Sequence, residues 1–234
     1  MKYRLVLFDF DGTLADSFPF FASVVNDLAE RFRFRRIEEH EHERLRHFSA
    51  AQMIHHVGLP LWKVPIVGSH FQMLMTQNIH RIKLFDGIDR VLRRLSNHGA
   101  VLAVVSSNSC ANVQHVLGPE NAALVKDFAC GVSVFGKQAK FKRILRHTGI
   151  SRTETIYIAD ELRDIDAARR AHIAFGAVSW GYTNVEALRA RQPEEVFEMV
   201  DEIVDKVVGS GHAGGESPGA VAREDEGQVR KGAG

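Results

Sequence analysis

Residues 5–14 read Leu5-Val6-Leu7-Phe8-Asp9-Phe10-Asp11-Gly12-Thr13-Leu14. Four consecutive apolar residues halt at two carboxylates two positions apart, and Gly12 lets the backbone turn sharply behind them. A short, continuous apolar run closed by a turn signal predicts a strand over 3–8 that is covered on both faces. Two carboxylates at the end of such a strand are costly unless something compensates their charge.

The same pattern recurs along the chain. Val101–Val105 stops at Ser106-Ser107-Asn108, Thr155–Ala159 stops at Asp160, and Phe175–Val178 leads into Trp180-Gly181-Tyr182. Helical spacing fills the intervals. Ile88–Asn97 carries Val91, Leu92 and Leu95 before Gly99. Lys140–His147 carries Phe141, Ile144 and Leu145 before Gly149, and Asp164–His172 carries Ile165, Ala168 and Ala171. Strands alternating with helices predict an α/β fold with a mostly parallel sheet, its polar residues gathered at the strand C-termini.

Residues 18–83 break that rhythm and read as a helical insert. Phe20–Phe32 places Phe21, Val24, Val25, Leu28 and Phe32 near a 3.6-residue period, and Gly68–Ile79 is helix-like. Residues 209–234 contain almost no large apolar side chain, which predicts a disordered tail.

Composition narrows the function classes. The chain has 234 residues, ordinary apolar content and a formal net charge of +1, which gives no reason to expect nucleic acid or a membrane surface as partner. Two cysteines, Cys110 and Cys130, are too few for a disulfide scaffold and fit a reducing compartment. No apolar run approaches the roughly 18 residues that span a bilayer, and the N-terminus has no secretory pattern, so a soluble cytoplasmic protein is expected. His40, His42, His55 and His56 invite a zinc site, but Glu38, Glu39, Glu41 and Glu43 around them read as a charged, solvated helix. Arg33, Arg35 and Arg36 are candidates to meet an anionic substrate, but a surface run is the favoured reading.

If the sheet brings its turns together, Asp9, Asp11, Asp160 and Asp164 converge on one small volume. Their repulsion calls for a divalent cation, and an oxygen-only donor set suits Mg²⁺.

Asp9-Phe10-Asp11-Gly12-Thr13-Leu14 resembles the first motif, D-x-D-G-T-L, of phosphatases in the haloacid dehalogenase superfamily. Ser106 resembles the second motif and Lys137 the third, while Asp160-Glu161-Leu162-Arg163-Asp164 resembles the fourth, D-x-x-x-D. The ordered set covers residues 3 to about 190. Asp16-Ser17 and Trp180-Gly181-Tyr182 resemble the phosphoglycolate phosphatase-like branch. The resemblance implies a Rossmann-like core over 1–17 and 84–208, with an inserted helical (C1-type) cap over 18–83. It further implies Mg²⁺-dependent hydrolysis of a small phosphorylated metabolite, phosphoglycolate being one candidate.

Roles follow from the same resemblance. Asp9 would be the nucleophile, forming an aspartyl-phosphate, and Asp11 the general acid and base. Ser106, Ser107 and Lys137 would bind phosphate, and Asp9, Asp11 (through its main-chain carbonyl), Asp160 and Asp164 would hold or orient the metal. Lys140 competes with Lys137 for the third motif, and Asp164 could instead be a helix-dipole carboxylate. Ala159 stands where relatives usually carry glycine, and the usual Lys-Pro pairing of the third motif is missing. Asp11 disfavours a dehalogenase, because a halide leaves without a proton. It does not separate a phosphatase from a phosphosugar mutase, and a non-catalytic phosphate sensor on the same fold is the reading from another class. Oligomeric state is not legible.

Overall fold

The computed structural model describes residues 1–45, 48, 50–131 and 136–209. The expected tail over 209–234 lies outside the described residues apart from Gly209. In chain order the strands are β1 (Leu5–Phe8), β2 (Ala15–Asp16), β3 (Lys83–Leu84), β4 (Val101–Val105), β5 (Val125–Ala129), β6 (Thr155–Ala159), β7 (Ala174–Val178) and β8 (Glu195–Phe197). The helices are α1 (Phe18–Phe32), α2 (His42–Leu45), α3 (Ala50–His56), α4 (Val64–Gln77), α5 (Ile88–Asn97), α6 (Cys110–Leu124), α7 (Gly136–Thr148), α8 (Leu162–Ala171), α9 (Val185–Arg189) and α10 (Glu202–Val208).

Six strands form one sheet in the order β5-β4-β1-β6-β7-β8, every neighbouring pair parallel. This is the expected α/β architecture. The continuous apolar runs are explained by burial on both faces. Val6 and Phe8 enter one layer with Ile88, Leu92 and Leu95 of α5 and Val204 of α10. Leu5 and Leu7 enter the opposite layer with Phe141 and Ile144 of α7 and Ile165 of α8. Ala159 also belongs to that second layer, so the methyl that replaces the usual glycine packs in the core.

The chain builds β1, β4 and β5 toward one edge and then returns to build β6, β7 and β8 toward the other. The reversal falls between β1 and β6. A crevice outside the strand C-termini at such a switch point is where open α/β sheets bind ligands.

Between β2 and β3 the described elements are helical. The two short strands pair antiparallel, Asp16 with Lys83 and Ala15 with Leu84, so this segment leaves and rejoins the sheet side by side. α1 carries Phe20, Val24 and Leu28 into the main layer, while Val25 joins a separate cluster with Ile37, Leu45 and Val57. The amphipathic spacing read over 20–32 is therefore two stripes facing two cores.

One expectation fails in this segment. Glu41, read as part of a solvated charged helix, is 4 % exposed. It accepts hydrogen bonds from Arg35 at 2.9 and 3.0 Å, from Arg44 at 3.2 Å and from the Glu38 backbone N–H at 3.1 Å, and His56 lies 3.1 Å away. Arg35 is accordingly an ion-pair partner within the helical segment and not part of a free surface run. A run of like-charged residues conceals an inward-facing member whenever cations from elsewhere in the fold arrive to pair with it.

Candidate active site

The switch point places three turns side by side. Asp9 follows β1, Ser106 follows β4 and Asp160 follows β6, and β1 is paired to both other strands. The β1 ladder continues one residue further, with the Asp9 N–H donating to the Ile158 carbonyl at 2.9 Å. Asp9 is thereby fixed by backbone at the sheet edge.

Lys137, in the first turn of α7, reaches Asp9 Oδ2 at 2.8 Å and Asp164 Oδ2 at 2.9 Å, and donates to the Tyr157 hydroxyl at 2.6 Å. Burial pushes its ammonium pKa down, but the Asp9 and Asp164 charges outweigh that and hold it above the usual lysine value. Lys140 takes a different position. Its ammonium donates to the backbone carbonyls of Ser106 at 2.6 Å and Gly131 at 2.5 Å. Of the two lysines, Lys137 is the one placed against Asp9.

Asp11 faces other partners. Its Oδ1 accepts from Ser17 Oγ at 2.7 Å and its Oδ2 from Asn108 Nδ2 at 3.2 Å. Burial pushes its carboxyl up to about 6; the Ser17 hydrogen bond pulls it back and the Asp9 charge raises it further. Ser17 is also hydrogen-bonded to the Tyr182 hydroxyl. Asn108 ties this group to the helical segment, because its amide donates to Met75 Sδ at 3.0 Å. Its Oδ1 accepts from Asn112, which in turn donates to Thr76 at 3.0 Å.

Ser106 is buried, and its Oγ accepts from the Asn108 N–H at 3.0 Å. Ser107 is exposed at the crevice, with its carbonyl 3.4 Å from Gln72 Nε2. Asp164 is buried against Lys137.

Asp160 is 0 % exposed and held by a cradle. Thr13 Oγ1 donates to Oδ1 at 3.1 Å and the Tyr182 N–H donates to Oδ2 at 2.8 Å. Two glycines make room for it. A Cβ on Gly12, whose φ is +75°, would lie 2.4 Å from Oδ2, and one on Gly181 would lie 2.1 Å from the Asp160 Cβ. Trp180 closes the cradle by donating to the Thr13 carbonyl at 3.1 Å.

The donor set bears on the metal. Among the described residues no three Asp, Glu, His or Cys side chains form a ready-made ligand cluster. Asp11 is turned toward Ser17 and Asn108, and Asp164 toward Lys137, so neither side chain joins one. Asp160 also receives hydrogen bonds from neutral donors only, Thr13 and the Tyr182 N–H, and among the described residues no lysine or arginine pairs with it. Burial raises its carboxyl well above the usual range, and the charges of Glu161 and Asp9 add to that. A buried carboxylate beside other carboxylates without a cation of its own fits a hard divalent ion. Mg²⁺ is commonly held by only one or two carboxylates, with water and substrate phosphate completing its shell.

Several participants had no role assigned to them from the sequence. Tyr157 sits within an apolar strand, and a buried phenol needs a partner, which was the available signal. Asn108 and the Thr13–Gly181–Tyr182 cradle act through contacts between distant turns, which spacing along the chain does not encode.

A family model described as "Haloacid dehalogenase-like hydrolase" matches residues 6–178. The chain is 27% identical over 205 residues to a phosphoglycolate phosphatase from Synechococcus elongatus, covering 87% of this chain and 97% of the relative. It is 24% identical to a 5'-nucleotidase from Pseudomonas aeruginosa, covering 82% and 90% respectively. A haloacid dehalogenase-like hydrolase from Streptococcus pneumoniae superposes with a TM-score of 0.74 at 17% identity, covering 88% of this chain and 98% of that one.

Proposed function

Since this chain belongs to the haloacid dehalogenase-like hydrolase family, we propose that it hydrolyses phosphate monoesters in two steps, with Asp9 as nucleophile. The observation that carries this is the unequal treatment of two carboxylates in one turn. Asp9 lies 2.8 Å from a lysine ammonium, whereas Asp11 is held by neutral donors with its carboxyl near 6. Environments that push two carboxylates apart assign one to attack and the other to proton transfer.

In the first step an Asp9 oxygen attacks phosphorus as the ester P–O bond breaks. Asp11 gives its proton to the departing oxygen, so the alcohol leaves neutral. In the second, water attacks the phosphorus of the aspartyl-phosphate and Asp11 takes its proton. Inorganic phosphate leaves and Asp9 is restored. Lys137 neutralises negative charge at Asp9 throughout. The Ser106 Oγ already accepts a hydrogen bond from Asn108, which leaves its hydroxyl proton for a phosphoryl oxygen, with Ser107 beside it. Asp9, the Asp11 main-chain carbonyl and Asp160 would hold Mg²⁺, whose charge offsets that of the phosphoryl group. Asp164 keeps Lys137 in place at this edge.

The helical segment over 18–83 is the proposed cap, with β2 and β3 as its two connections to the core. Phosphate release from a monoester should require Mg²⁺ and disappear in Asp9→Asn. Undiminished release by Asp9→Asn in the presence of EDTA would sink the assignment. The relatives carry names for different esters, phosphoglycolate phosphatase and 5'-nucleotidase among them, and phosphoglycolate is the first of these to assay.

A further inference from the structure

A cavity of about 440 Å³ opens from the proposed reaction site into the helical segment. At its floor are Asp11, Ser17, Ser107, Asn108, Glu161 and Tyr182, all from the core. Its walls are of another character. Of the described lining residues between 18 and 83, every one is apolar except Gly68 and Gln72. Phe21, Leu28, Phe34, Val57, Val67 and Phe71 are representative. Gln72 turns its amide to the Ser107 carbonyl. One described cation lines the cavity, Arg163, and it is engaged by Glu161 through two contacts of 2.5 and 2.9 Å.

A leaving group must occupy the space beyond Asp11, since that is where the proton is delivered. Against those apolar walls a carboxylate, or the hydroxyls of a sugar, would lose water without gaining partners, which is costly. Hydrocarbon has the opposite preference. The volume is also generous: a dry cavity of roughly 150 Å³ lined by Leu, Ile and Phe already accepts benzene.

We propose that the preferred substrate is a monophosphate ester of an apolar alcohol, alkyl or aryl, whose hydrocarbon fills this cavity. The proposal rests on the phosphatase reading above and names its substrate class. In apolar pockets one methylene changes kcat/KM by roughly 10–200-fold, so a chain of several should dominate selectivity.

The test is a series of n-alkyl monophosphates, which share one leaving-group acidity and differ only in hydrocarbon. With Mg²⁺ and the full chain, kcat/KM should rise at least ~100-fold from ethyl to hexyl phosphate, and hexyl phosphate should exceed phosphoglycolate. In Val67→Phe, which places a ring in the cavity, the hexyl-to-ethyl ratio should fall at least ~10-fold while thermal unfolding shows a folded protein. A flat series, a preference for phosphoglycolate, or an unchanged ratio in folded Val67→Phe overturns the proposal and leaves the phosphatase reading standing. Binding of the same esters to Asp9→Asn by calorimetry separates the two readings. If no ester is turned over by the wild-type chain but hexyl phosphate binds Asp9→Asn at least ~10-fold tighter than ethyl phosphate, the apolar site survives and the phosphatase reading fails. If neither turnover nor affinity depends on chain length, the apolar site is refuted.

Discussion

At the scale of single residues, the two aspartates of the first turn should fail in different ways. Asp11→Asn keeps Asp9 and Lys137 but removes the proton that an alkoxide needs and the base that the second step needs. Steady-state hydrolysis of an alkyl phosphate should drop ~10²–10⁴-fold. With p-nitrophenyl phosphate, whose phenolate departs unprotonated, the variant should release a single burst of nitrophenol and stall as a phosphorylated protein. Unchanged steady-state turnover would remove Asp11 from the reaction. Asp160 gives a second prediction, because Gly181→Ala puts a methyl 2.1 Å from its Cβ and something must move. The Mg²⁺ concentration for half-maximal activity should rise ~10–100-fold, as for other losses around a metal ligand. An unaltered Mg²⁺ dependence would mean that the cradle does not position a ligand. Asp9, Asp11 and Asp160 stood out in the sequence because each ends an apolar run. The contacts of Asn108 and Gly181 were not legible, since nothing beside them in the chain reveals which carboxylate they will meet.

Among elements, the helical segment is held by charge as well as by packing. Glu41 is pulled from its ordinary 4.5 to about 2, first by the Glu38 backbone N–H and then by Arg35. A carboxyl depressed on folding stabilises the folded state above its unfolded pKa, and that stabilisation is lost as pH falls through the folded value. Glu41→Gln should therefore be less stable than the parent chain at neutral pH. The difference should shrink between pH 4.5 and about 2, measured by urea unfolding across that range. A difference that stays constant with pH would assign the loss to packing. The central strands were legible because they are apolar throughout. β5, Val125-Lys126-Asp127-Phe128-Ala129, is an edge strand with exposed and half-buried positions, and three-residue β8 is the other edge, so neither shows such a run. α4 begins at Val64-Pro65, earlier than the helical pattern read from Gly68, because proline at the first turn has no N–H to lose.

For the molecule as a whole, the sheet order turns four distant stretches of chain into one site. β1, β4 and β6 lie next to one another, so residues near 9, 106 and 160 meet, and α7 returns Lys137 across the same edge. That gathering was legible as a class of fold, since buried parallel strands end together. The shape and lining of the cavity were not, because they depend on how helices from the 18–83 segment face the core. The central claim is that phosphate passes through Asp9. Rapid acid quenching after mixing with a radiolabelled monoester and Mg²⁺ tests it most directly. The wild-type chain should carry a hydroxylamine-labile phosphate on the peptide that contains Asp9, and Asp9→Asn should carry none. Steady turnover without any such label, or an equal label on Asp9→Asn, would contradict it.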